Sequence, residues 1–251
     1  MKFEFDNVIR VAREQGFLGF IRKCFLYIVF PFRLYAFRRS PGEKTPRELV
    51  EFSFTVSSGL IKPLQVKSEI TDLIERLADS PPCVILEIGT AVGGTLFLFL
   101  GIADRNARVV SLDLPGGIHG GGYPLWRVLI YKMFPTGKQR LHLVRDDSHS
   151  AEGLEQVKHR LGGEAIDFLL IDGDHTYDGV RQDFETFAPL VKPGGLIAFH
   201  DILPHANYPE CGVDQLWNEV KEGFEHEEII EDSAQGWAGI GLLKWAGEAS
   251  E

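Results

Sequence analysis

Cysteine is scarce: Cys24, Cys83 and Cys211 stand far apart in a chain of 251 residues. They form no CxxC pair and no disulfide framework, so a reducing cytosol is the expected compartment. The opening MKFEFDNVIR shows no secretory signal. Long hydrophobic runs are also missing. In the aromatic stretch Gly16–Arg39 the uninterrupted run Phe25–Phe32 is eight residues long and contains Pro31, against the roughly 20 apolar residues that cross a bilayer. Repeats, low-complexity tracts and the GxGxxG dinucleotide fingerprint are absent. Basic residues are outnumbered, 26 Lys/Arg against 36 Asp/Glu. An acidic body argues against nucleic acid as a partner, because phosphate binding needs a basic face.

The charge is unevenly spread. Residues 1–45 hold nine Lys/Arg and four Asp/Glu; the remainder holds 17 against 32. Two readings fit the basic, aromatic residues 16–39: a helical lid packed on the domain, or a peripheral membrane contact with cations at the headgroups. An exposed apolar face there would also favour a homodimer.

What is present is the composition of a soluble α/β domain, 44% hydrophobic and 25% charged. Thr45-Pro46-Arg47-Glu48 is a capping box that starts a helix, and Val66, Ile70, Leu73, Ile74 and Leu77 predict a second helix from Pro63 to Ala78. From Cys83 onward five short apolar runs alternate with helical segments, with helices expected from Gly93, around Tyr123–Phe134, from Ala151, from Thr176 and near Val213–Phe224. Glu227–Glu231 and Ile240–Trp245 then predict an antiparallel hairpin joined by a short loop. The expected fold is α/β: a Rossmann-like doubly wound sheet of seven strands, mainly parallel with a C-terminal antiparallel hairpin, plus N-terminal helices.

Ligands of such sheets bind at the carboxyl ends of the strands. The first strand ends in Glu87-Ile88-Gly89-Thr90-Ala91-Val92-Gly93-Gly94. Its glycines let a ligand approach the backbone, and its acid suits a cationic amino group better than a pyrophosphate. Asp113 ends the second strand, 24 residues after Gly89, near the spacing at which an acid meets a ribose diol. Asp147 and Ser148 follow the third strand, where they could receive an adenine amino group or simply cap a helix. The fourth and fifth strands end in Asp172-Gly173-Asp174-His175 and His200-Asp201. Core strands rarely finish with so many charges for stability alone.

These motifs, with IDGDHTYDGV, VKPGGLIAFHD and the loop Gly116–Pro124 with Trp126-Arg127, resemble class I S-adenosylmethionine-dependent methyltransferases. The branch they look like is the small-molecule O-methyltransferases that include cephalosporin-hydroxylase-like and sugar O-methyltransferases. The resemblance covers about Pro63 to Trp245. It implies residues 46–251 as the methyltransferase domain behind an extension of residues 1–45. It implies S-adenosyl-L-methionine as cofactor, with Glu87, Gly89, Thr90 and Gly93 around its methionine part, Asp113 at the ribose and Asp147 and Ser148 at the adenine. Asp172 would touch the cofactor and join His200 and Asp201 in holding Mg²⁺ or another divalent cation. His200 departs from the acidic pattern of the catechol-type relatives, and imidazole is a softer ligand than magnesium prefers. His175, standing where those relatives carry a lysine, would take the acceptor proton. The expected acceptor is a small molecule or sugar hydroxyl, with His119, Tyr123, Trp126, His205 and the loop Pro204–Cys211 as candidates for its pocket. The competing readings are a NAD(P)-dependent oxidoreductase and a non-catalytic methyltransferase-like binding module.

Overall fold

The computed structural model describes residues 25–116 and 122–247. Residues 25–39 form a helix, α1. The capping box operates as expected: Thr45 accepts from the Glu48 amide and Glu48 reaches back to the Thr45 amide, opening α2 (Pro46–Glu51), which runs on as a π-helical turn, Phe52–Val56. There follow α3 (Lys67–Asp79), β1 (Val84–Ile88), α4 (Gly94–Ile102), β2 (Arg108–Leu112), α5 (Arg127–Tyr131), β3 (Arg140–Val144), α6 (Ala151–Leu161), β4 (Ile166–Ile171), α7 (Tyr177–Phe187), β5 (Val191–His200), α8 (Val213–Val220), β6 (Glu225–Ile229) and β7 (Ile240–Lys244).

The seven strands lie in the order β3-β2-β1-β4-β5-β7-β6. The first five are parallel, and β7 runs antiparallel to both β5 and β6. Strands buried on both faces read as continuous apolar runs, and VILEI of β1 is buried throughout. Ile85, Val109 and Phe168 face one core; Leu86, Val110 and Leu169 face the other. The first core is thickened by α4, whose sequence GTLFLFLGI is apolar all round and buried at eight positions. Such a helix needs cover on its outer side, and α1 and the π-turn provide it: Phe30, Phe52, Phe97 and Phe134 meet at ring separations of 5.4–6.4 Å. One face of α1, with Phe30 and Leu34 buried, is therefore part of the core.

Several boundaries differ from the sequence expectation. α3 begins at Lys67 rather than Pro63, because Pro63–Gln65 is held outside the helix: the backbone at Gly94 packs so closely on Pro63 that a Cβ there would lie 2.5 Å from its nitrogen, and Gln65 reaches across to Asp172. α5 is a five-residue remnant of the predicted Tyr123–Phe134, since Gly122 takes φ +80° and Pro124 bars the turn before it. α8 stops at Val220. The final two strands pair as expected, but β6 starts at Glu225 and residues 230–239 form a long connection, not a short one.

Candidate active site at the carboxyl ends of the strands

A cleft of about 530 Å³ opens along the carboxyl edge of the sheet. Its walls include Gly89, Asp113, Asp147, Ser148, Asp172, Asp174, His175, His200, Asp201 and His205. A small cavity adjoins it between Pro63–Gln65 and Gly89–Thr95, with Asp172 lining both. Most of the residues read from the strand ends thus meet in one place, because parallel strands in register deliver their last residues to one edge.

The β1 end is built around close backbone approach. Gly89 has φ +90°, and a Cβ there would sit 1.9 Å from the Asp172 carbonyl oxygen. Glu87 is fully buried; Thr95 donates to its Oε1 at 2.5 Å, and its Oε2 has no hydrogen-bond partner. Burial pushes the Glu87 carboxyl up to about 8, with the Thr95 hydrogen bond opposing. Asp113 is buried too and accepts the amides of Thr90 at 3.1 Å and Ala91 at 2.8 Å. Its carboxyl is pushed up to about 6 by burial, which those amides and Arg145 only partly offset. Thr90 lines the small cavity and bonds Ser111 through its hydroxyl. Gly93 lines neither cavity. It caps α4 in the left-handed conformation and packs on the Tyr131 ring, where a Cβ would fall 2.4 Å from a ring carbon.

The β4 and β5 ends form a mesh of acids and imidazoles. His200 Nδ1 lies 3.1 Å from Asp172 Oδ1 and 3.5 Å from Asp201 Oδ1. His175 bridges the two carboxylates, with Nδ1 2.9 Å from Asp201 Oδ2 and Nε2 3.4 Å from Asp172 Oδ1. Gln65 donates to Asp172 Oδ2 at 2.7 Å. Burial alone would keep these groups neutral. The opposite charges win: His200 and His175 hold the Asp172 carboxyl well below the usual range, and His175 and His200 lower Asp201. Burial opposes charge on His175, but its hydrogen bonds to Asp172 and Asp201 raise its pKa. Asp201 adopts φ +66°, a conformation that aspartate tolerates better than most residues. The bend lets its Oδ1 accept the Ala238 amide at 3.1 Å.

Asp147 lines the cleft while its Oδ1 accepts the His149 amide at 2.9 Å. Tyr123 is buried, and Trp126 is partly exposed and packed on Tyr27 at 4.4 Å; neither lines the cleft. His119, Cys24 and residues 1–24 lie outside the described residues. No described residue of α1 lines the cleft, and residues 16–24 of the expected lid lie outside the described residues. Sequence reasoning missed Gln65, His149 and Trp237, and had Cys211 only as the end of a loop over the acceptor. Ser148 could have drawn attention to its neighbour His149, whereas the others carry no local signal. Cys211, His175 and Asp201 bring donor atoms within 4.8 Å of one another.

The antiparallel β7 between β5 and β6 separates this sheet from the all-parallel dinucleotide-binding order. It defines a Rossmann-like methyltransferase fold, and three comparisons agree. In structure the chain is similar to an O-methyltransferase of Bacillus cereus solved in complex with SAH (TM-score 0.53, 16% identity, 87% of this chain and 99% of that one). It is also similar to MycE methyltransferase from the mycinamycin biosynthetic pathway, in complex with Mg, SAH and mycinamycin VI (TM-score 0.51, 19% identity, 84% of this chain and 58% of that one). In sequence, 157 residues are 27% identical to demethylmacrocin O-methyltransferase of Streptomyces fradiae, covering 53% of this chain and 39% of that protein. The chain spans well under half the length of the curated relatives it matches. Residues 86–202 match the sequence model of a methyltransferase domain family.

Proposed function

We propose that this chain is an O-methyltransferase that moves a methyl group from S-adenosylmethionine to a small-molecule or sugar hydroxyl, in the cytoplasm. The observation that carries the reading is the cleft that runs from Gly89 and Asp113 to His175 and Asp201, with a small cavity adjoining it at Gly89–Thr95. The cofactor fits the residues present: the free, buried Oε2 of Glu87 suits an ammonium, and the Gly89 turn leaves room where any side chain would collide. When bound, it supplies an activated methyl on a sulfonium. Glu87, Gly89 and Thr90 would hold the methionine part, Asp113 the ribose, and Asp147 and Ser148 the adenine. The relatives, named for demethylmacrocin and solved with mycinamycin VI, favour a small-molecule acceptor.

Asp172 and Asp201 each place a carboxylate oxygen within 3.5 Å of the same nitrogen of His200, Nδ1. That donor set fits a divalent cation, and the imidazole favours a transition ion over magnesium. Such an ion would supply positive charge at the acceptor oxygen and lower its pKa. The residues' own share of the work is orientation and proton transfer. His175 lines the cleft between Asp172 and Asp201 and would be the base for the acceptor proton, although in the ligand-free chain those two carboxylates favour its protonated form. Aligning the acceptor oxygen contributes several kcal/mol by itself, on the order of what fixed geometry supplies elsewhere. Two unpaired cysteines among the described residues, Cys83 and Cys211, suit a reducing compartment.

Calorimetric titration with S-adenosylmethionine, in Mg²⁺, in Mn²⁺ and in EDTA, tests the reading. Saturable binding competed by S-adenosylhomocysteine is expected. Absence of binding under every condition overturns it. Once an acceptor is found, activity unchanged by EDTA and by Asp172→Ala removes the metal.

A further inference from the structure

The outer face of α1 has no place in the core. Phe25, Ile28, Phe32 and Tyr35 recur along it at helical spacing, and Leu125 and Leu129 are exposed on the adjoining α5 segment; all six are between 58% and 71% exposed. The two stretches lie side by side. Tyr27 packs edge-on against Trp126 at 4.4 Å, and Arg38 donates to the Met133 carbonyl at 2.7 Å. Their charge is one-sided. Residues 25–39 carry three arginines, residues 122–140 carry four Lys/Arg, and neither stretch contains an Asp or Glu, in a chain whose net charge is −10. Arg39 stacks over the exposed Tyr35 ring at 5.3 Å, with its stem along the apolar stripe. No described helix is long and apolar enough to cross a membrane.

We propose that this face docks on the surface of an anionic lipid bilayer, with the aromatic and aliphatic stripe in the headgroup boundary and the surrounding cations against lipid phosphates. Apolar burial and electrostatic attraction act together at such a surface. The charge distribution selects this occupant over a second copy of the chain. A two-fold dimer through the same face would set exposed cations such as Arg39 and Lys132 against like ones. The acidic body of the molecule would in turn be repelled from the lipid and keep the basic face turned toward it.

Co-sedimentation of the full chain with vesicles tests this directly. Phosphatidylcholine vesicles containing phosphatidylglycerol should pellet the protein, pure phosphatidylcholine vesicles should pellet far less, and raised salt should release it. The double substitution Ile28→Glu/Phe32→Glu should lower partitioning at least about tenfold without shifting the melting temperature, since both side chains are exposed. Arg39→Glu/Lys132→Glu, which leaves the stripe intact, should lower binding to the anionic vesicles alone. Failure of the wild-type chain to bind overturns the proposal, as does equal binding to both lipids or equal binding by the double variant. Sedimentation velocity supplies the remaining outcome: a dimer broken by Ile28→Glu/Phe32→Glu, in a chain that ignores vesicles, assigns the face to self-association.

Discussion

Carboxylates end both halves of the sheet, yet the two halves treat them oppositely. Glu87 and Asp113, at the ends of β1 and β2, are buried without a cationic side chain in hydrogen-bond contact, and their carboxyls are pushed up to about 8 and about 6. Asp172 and Asp201, at the ends of β4 and β5, are equally enclosed but meet His175 and His200, and both are lowered. Burial is the largest influence on all four; the neighbour decides the sign. One half of the cleft is short of a positive charge, and the other carries its own. The proposed placement of the cofactor, ammonium toward Glu87, draws on that difference.

Separating the halves by substitution tests that contrast. His175→Ala should cut methyl transfer about 100-fold to 10,000-fold while changing S-adenosylmethionine affinity little; product mass spectrometry and calorimetry read the two quantities. An equal loss in both would mean the halves act as one unit. Gly89→Ala drives a methyl into the Asp172 carbonyl at a left-handed position and should cost about 3 kcal/mol of stability or more, together with cofactor binding, as denaturant titration would show.

Glu87→Gln sharpens the comparison through pH. A carboxyl raised by folding keeps its proton in the native chain over a range, from the ordinary 4.5 to about 8, where the unfolded chain has lost it. Stability is then highest below the ordinary value and declines as pH rises through that window. For the ligand-free protein the decline should be on the order of 5 kcal/mol, and Glu87→Gln should flatten it in unfolding titrations across the same range. Asp113→Asn should have the smallest effect, about 1 kcal/mol, because an amide oxygen can still accept from Thr90 or Ala91; thermal melts in parallel with wild type would measure it.

Local chemistry made much of this fold legible. Thr45 and Glu48 announced their helix, and each parallel strand showed itself as an apolar run bounded by turn residues. The site followed because register carries Asp113, Asp172 and His200 to one edge. Long-range contacts were not legible. Gln65 contacts Asp172 across 107 residues, and nothing around Gln65 in sequence marks it. The predicted start of α3 at Pro63 failed for the same reason, since the packing of Gly94 on Pro63 decides it. Glycine was ambiguous in another way: Gly89 and Gly93 share a motif and a positive φ, but the first adjoins the cleft and the second makes room for Tyr131.

Glu69 of α3 shows what such contacts mean for the chain's history. It is buried, and its carboxylate gathers the Glu231 amide at 3.1 Å, the Gln235 side chain at 2.8 Å and the Gly239 amide at 3.1 Å. That single anion anchors the connection bearing Trp237 and Ala238, which close one wall of the cleft and hold Asp201. During synthesis α3 leaves the ribosome some 160 residues before its partners do. Until then Glu69 has no donors, β5 has an open edge, and Asp201 lacks its amide. A nascent chain can pair its first five strands while the cleft still lacks a wall, so the working enclosure is finished only when the last strand has been made.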